Sequence, residues 1–256
     1  MIRLLYLVTI YAWRAFLQWL AWRAFLVTMV VNQIVTPLLS LAVWSVALPG
    51  SATISTYYVA LLAVQLMTVS YENHTFSDNI YSGALIHMVL KPRPVLIEPL
   101  GANVAMRIWH LLIGLPIIIL AGILVHVSFE SRAILLSLPA LLLAATLRFL
   151  FTYLLALSAL WTQQAHGVVN FGEILIFLLG GSAVPIELFP RFIRPLGEVF
   201  PFRMMLGFPA EIASSSLSEK QVFIGYGVQF LWVLVFMSIV FFVWNAGMRQ
   251  YTAAEG

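Results

Sequence analysis

The chain has 256 residues, 62% of them hydrophobic and only 9% charged, with a mean hydropathy of +0.99. Soluble domains carry about 25% charged residues, so these proportions argue against one or two water-soluble domains and read the long apolar blocks as membrane spans. A net charge of +3, from 13 Lys and Arg against 10 Asp and Glu, provides no basic stripe for nucleic acid, and the absence of cysteine removes disulfides and thiolate metal sites.

The first segment, residues 3–23, carries Arg3, Arg14 and Arg23 among Tyr6, Trp13, Trp19 and Trp22. Basic residues interleaved with amphipathic rings predict a helix lying in the interface plane, and the arginines interrupt the segment too early for a cleavable export signal. The hexapeptide AWRAFL occurs at 12–17 and again at 21–26, too short a repeat to set an architecture. The first span is predicted at 25–48, with Pro37 as a kink and Asn32 and Gln33 facing protein. Pro49-Gly50-Ser51 is a turn, and the second span is predicted at 54–71.

Residues 72–100 form the longest polar stretch, with a short helix at 80–90 ended by Pro92 and Pro94. Glu72, His74 and Asp78 lack a fourth ligand and read as a solvated loop or a cap, not a metal site. Glu98 is placed to pair with Arg93 or Arg107. The third span is predicted at 103–127 and the fourth at 133–160. Arg148 lies inside the fourth, where a charged side chain requires a partner or a route to the interface. A polar loop follows at 161–170.

The fifth apolar block, 171–184, is short for a crossing and ends in GGSAVP. Residues 185–215 then mix Pro185, Pro190, Pro195, Pro201 and Pro209 with Phe and charge, a pattern suited to an outer re-entrant hairpin. Phe189, Pro190, Pro201, Phe202, Phe208 and Pro209 are the candidates there for an outer gate, or for anchoring the hairpin at the lipid surface. The last span is predicted at 222–244. The fold class is therefore an all-α polytopic membrane protein with six spans. With both termini in the cytoplasm, the inner segments hold Arg3, Arg14, Arg23, Lys91, Arg93, Arg107 and Arg249. The outer ones hold Arg132, Arg191, Arg194, Arg203 and Lys220.

Three stretches carry a family resemblance. Residues 80–92, IYSGALIHMVLKP, run from Ile80 through Gly83, Leu85 and Leu90 to Pro92, the form I-x-x-G-x-L-x-x-x-x-L-x-P. The outer stretch has Pro185 with Glu187, Phe189-Pro190, Pro201-Phe202 and Phe208-Pro209. The tail reads WNAGMRQYTAAEG. In order and spacing these resemble the permease subunits of bacterial ABC-2 type transporters over nearly the whole chain. The resemblance implies separate ABC ATPase subunits that hold ATP and Mg, since no phosphate loop occurs here and this chain binds no cofactor. It also implies a second permease chain, identical or related, and placement among the lipids of the bacterial cytoplasmic (inner) membrane.

Under this reading residues 80–92 dock on the ATPase, with Gly83, Leu85, Met88, Val89, Leu90 and Pro92 as the docking residues and Gly83 allowing close backbone approach. A helix lying on lipid is the competing reading of the same apolar face. Arg148 either pairs with Glu173 at the edge of the fifth block or holds an anionic group of the substrate. No catalytic constellation is present. The leading function is the permease of an ATP-driven exporter for a lipidic or amphipathic substrate. A lipid-modifying membrane enzyme and a non-transporting assembly factor are the alternatives.

Overall fold

The computed structural model describes residues 2–162 and 165–254. Gln163 and Gln164 of the expected polar loop, and Glu255 and Gly256 of the tail, lie outside that range. All regular structure among the described residues is helical. The long apolar helices are α1 (Ile2–Ala21), α2 (Arg23–Ala47), α3 (Ala52–Thr68), α6 (Ile97–Leu124), α7 (Ser131–Leu157) and α12 (Glu219–Ala254). Shorter ones are α4 (Glu72–Tyr81), α5 (Ala84–Val89), α8 (His166–Leu179), α9 (Arg194–Val199), α10 (Pro201–Met205) and α11 (Gly207–Ala213).

Among the described residues, six helical stretches are long and apolar enough to cross a bilayer, matching the expected number. Membership differs at one place. Helix α1 qualifies by length and composition, whereas the fifth block forms only the 14-residue α8. At 1.5 Å per residue α8 spans about 21 Å, short of a hydrocarbon core of about 30 Å. It stops at Gly180-Gly181, where Gly181 takes φ +86°, a conformation that ends a helix and suits glycine. Helix α2 continues through the buried Pro37, and α12 runs well beyond the apolar block at 222–244 on both sides.

Helices α3, α4, α7, α10 and α11 form the centre of the bundle. Leu61, Leu66, Leu147, Leu157, Met205 and Phe208 are all 1% exposed or less. Helix α2 packs on α3, α6 packs on α3, and α12 packs on α7. Helix α1 runs beside the first half of α6: Phe16 stacks on Trp109 at 4.5 Å, and Arg93 sits over the Tyr11 ring at 4.3 Å.

The polar stretch 72–100 is less of a loop than its composition suggests. Its first third is α4, which packs on α7 with Glu72, Asn73, Phe76, Ser77 and Ile80 buried. What remains of the expected loop is α5 and the turn through Pro92 and Pro94. Helix α6 then starts at Ile97, earlier than expected, with Glu98 in its first turn. Glu98 pairs with Arg93, as expected, and lies 3.9 Å from Lys91.

Candidate functional site

The break between α3 and α4 organises one end of the bundle. Val69, Ser70 and Tyr71 leave the helical path, which frees the Val69 carbonyl inside apolar surroundings. Unsatisfied backbone groups there cost several kcal/mol, so side chains must reach them. Arg107 on α6 donates from Nε to Val69 O at 3.0 Å and from Nη2 to Ala145 O at 2.7 Å. Asn103, one turn earlier, donates to Glu72 Oε1 at 2.7 Å, and Thr152 on α7 donates to Glu72 Oε2 at 2.9 Å.

Glu72, 3% exposed, is thus a buried member of this network, and the solvated-loop expectation for it is overturned. The reason is that α4 continues the path of α3 against α7, so the polar run turns inward instead of into solvent. No group of three His, Cys, Asp or Glu among the described residues could hold a metal ion.

Beside this network lies a cavity of about 320 Å³ between α2, α3, α4, α7 and α8. One wall is a hydrogen-bonded chain: Gln65 Nε2 donates to Gln33 Oε1, and Gln33 Nε2 donates to Tyr71 OH, each at 3.0 Å. Arg148, His74 and Glu173 line the same cavity. The structure therefore brings Arg148 and Glu173 to one site, yet not into contact. Glu173 Oε1 accepts from Asn73 Nδ2 at 2.9 Å and lies 3.5 Å from His74 Nε2. Arg148, 7% exposed, donates from Nη1 to Thr68 Oγ1 at 3.2 Å, and its Nε is buried without a protein partner. A direct Arg148–Glu173 ion pair is ruled out by these geometries.

One end of the cavity meets the turn after α8. Its carbonyls are capped by side chains from two other helices. Ser40 Oγ donates to Ser182 O at 2.9 Å, Trp44 Nε1 to Ala183 O at 3.0 Å, Tyr57 OH to Gly181 O at 3.0 Å and Tyr58 OH to Ala183 O at 3.2 Å. A broken backbone at this depth is tolerated because all three carbonyls are satisfied. Sequence reasoning passed over these four residues. A hydroxyl or indole near the end of α2 and the start of α3, facing a Gly-Gly break, was the available signal.

The outer stretch after Pro185 folds back into the bundle as α10 and α11. Phe202 meets Phe151 edge-on at 5.5 Å, and Phe208 meets Tyr226 edge-on at 6.0 Å. With Phe202 6% and Phe208 1% exposed, and Pro201 and Pro209 buried, these four are core residues, which overturns anchoring at the lipid surface for them. Helix α11 packs on α7 and α3, and α10 on α7 and α8. Phe189 is half-buried and Pro190 exposed, so only these two of the expected gate residues reach a surface. Arg203 and Glu211 clamp the fold-back with two parallel hydrogen bonds of 3.2 and 2.6 Å. Gln229 on α12 donates to Ala140 O and Met204 O at 2.9 and 2.8 Å, tying three elements together.

In the inner segment α5 divides the expected docking residues into two sets. Leu85 is 0% and Met88 5% exposed, so both point into the bundle and are corrected from docking to support. Val89, Leu90 and Pro92 remain exposed, with Leu90 at 77%. Gly83 begins α5 at φ +74° with nothing within 4 Å of a built Cβ. Its glycine is required by backbone sign, not by close approach of another backbone.

A family model described as "ABC-2 family transporter protein" matches residues 49–255, from the α2–α3 turn through α12. Searches of curated proteins and of solved structures gave no match. A match over more than three quarters of the chain, on a bundle with six helices able to cross a bilayer, makes this multi-pass membrane protein a member of the ABC-2 family of transporter proteins.

Proposed function

We propose that the chain is the permease subunit of an ATP-driven exporter, with ATP and Mg held by separate ABC ATPase subunits and a second permease chain completing the pathway. The supporting observation is the inner segment. An exposed edge of His87, Val89, Leu90, Lys91 and Pro92 stands on a support that Leu85 and Met88 lock into the bundle. Apolar residues presented on a fixed short helix suit a groove on a partner protein. Force applied to this edge passes directly to α4, which follows Tyr71, carries His74 in its first turn and packs on α7, which carries Arg148. The docking segment and the cavity wall thus share one pair of packed helices, so movement of a docked ATPase has a mechanical route to the cavity.

In this arrangement α1 lies along the inner membrane surface. It packs chiefly on α6, and Arg14 and Gln18 line an inner cavity of about 480 Å³ together with Asn79 and Glu98. Helix α8 and the fold-back of α10 and α11 together replace one full crossing. Both termini then face the cytoplasm of a bacterial cell.

The test is co-purification with a co-expressed candidate ABC ATPase. Leu90→Glu places a charge at a 77% exposed site, where it does not disturb the bundle but must be desolvated on docking. Expected is retained membrane insertion with loss of the ATPase from the complex. Undiminished ATPase binding by both Leu90→Glu and Val89→Glu contradicts docking through this edge.

A further inference from the structure

We infer that the cavity between α2, α4, α7 and α8 binds an anionic group, a phosphate or carboxylate, through Arg148. This deepens the permease reading by naming the chemistry its substrate presents. The other charged groups around the cavity are already engaged by protein. Glu72 accepts two hydrogen bonds, and Glu173 is held by Asn73 and His74. Arg107 is taken up by two backbone carbonyls. Arg148 differs. Its guanidinium is more than nine-tenths buried, lines the cavity, makes one hydrogen bond to a neutral hydroxyl, and keeps a buried Nε without a protein acceptor.

A guanidinium presents five donors in a planar fork that matches the oxygens of a carboxylate or phosphate. Placing such a fork away from water without a carboxylate partner is unfavourable for folding alone, and a buried ionisable group with spare donors in a membrane bundle marks a ligand pathway. The volume of about 320 Å³ falls at the lower end of small-ligand sites, room for a head group and not for acyl chains. Glu173, on the same cavity, sets the limit of the preference. Its carboxylate disfavours a highly charged anion, while His74 beside it offsets that repulsion when protonated.

The test uses the full chain purified in a neutral detergent, with no ATPase present. It is titrated with dihexanoyl phosphatidylglycerol, with dihexanoylglycerol as the phosphate-free control, and with inorganic phosphate. Binding is followed by tryptophan fluorescence and by the melting temperature. Expected is saturable binding of an anionic probe, weakened about tenfold or more by Arg148→Gln, in line with loss of hydrogen bonds to a charged group. Binding of phosphatidylglycerol alone identifies a lipid head group, and comparable binding of inorganic phosphate identifies a free anion. Asn32→Asp adds a negative charge to the cavity at an exposed position, so it keeps the test informative if Arg148→Gln fails to fold, and it too should weaken binding. Equal binding of dihexanoylglycerol, absence of saturable anion binding, or unchanged affinity in the variants overturns the proposal. Because no ATPase is present, such a failure leaves ATPase docking untouched, and failed co-purification leaves the anion site untouched.

Discussion

Replacing Gly225 by alanine sets two physical effects against each other. Gly225 lies within α12, and alanine in a helix interior is favoured over glycine by about 1 kcal/mol. On propensity alone, Gly225→Ala stabilises the protein. A Cβ at that position, however, would stand 2.1 Å from Cε2 and 2.2 Å from Cζ of Phe208. Real contacts of this kind require well over 3 Å, so the ring must retreat by more than an ångström. Phe208 is 1% exposed and meets Tyr226 edge-on, so retreat means lifting α11 from α12. Overpacking of this kind costs about 1–3 kcal/mol, which exceeds the propensity gain. The net expectation is a lower melting temperature for Gly225→Ala in detergent, read by fluorescence-detected size exclusion after heating. Phe208→Leu combined with Gly225→Ala should recover part of that loss, because the shorter side chain vacates the space the methyl needs. A Gly225→Ala protein as stable as the parent, or more so, refutes the packing of the outer segment on α12.

Other outcomes follow from the same geometry. Leu85→Glu buries a charge at a site of 0% exposure, so the permease itself should be lost from the membrane, in contrast to Leu90→Glu, as an immunoblot of the membrane fraction would show. Arg203→Met strips the cation from a Glu211 carboxylate that is 3% exposed, and a loss of about 3–5 kcal/mol is expected in thermal unfolding, with Glu211→Leu added to the same chain recovering much of it. Because the chain has no cysteine, Ser51→Cys and Lys91→Cys each introduce a unique thiol. An impermeant maleimide applied to intact cells should label position 51 and spare position 91, and labelling of both or of neither contradicts the assigned topology.

The spans were legible because uninterrupted apolar runs have one stable outcome in lipid, and Pro92, Pro94 and the Gly180-Gly181 pair ended helices where backbone rules place such ends. Roles that depend on which helices meet were not legible. Glu72 looked solvated because its neighbours are polar; only the contact between α4 and α7 reveals it as the acceptor of Asn103 and Thr152. Leu85 and Met88 share an apolar pattern with Val89 and Leu90, and the sequence of a six-residue helix does not say which side its bundle occupies. Arg148 and Glu173 line one cavity, but their separate partners, Thr68 and the Asn73–His74 pair, lie on other helices. Tyr57, Tyr58, Trp44 and Ser40 escaped notice because ordinary span residues become carbonyl caps only once the turn after α8 is brought beside them.

The central claim, that an ATPase docks on the edge formed by Val89, Leu90 and Pro92, is tested most directly by crosslinking. Leu90→Cys supplies the chain's single thiol at its most exposed docking position. A short bifunctional reagent linking that thiol to lysines should join the permease to the co-expressed ATPase in native membranes, and the yield should change when ATP and Mg are added. Val46→Cys, on the outer part of α2, serves as the control and should give no such product. Crosslinking from position 46 equal to that from position 90, or none from position 90 while the two proteins still co-purify, contradicts the account.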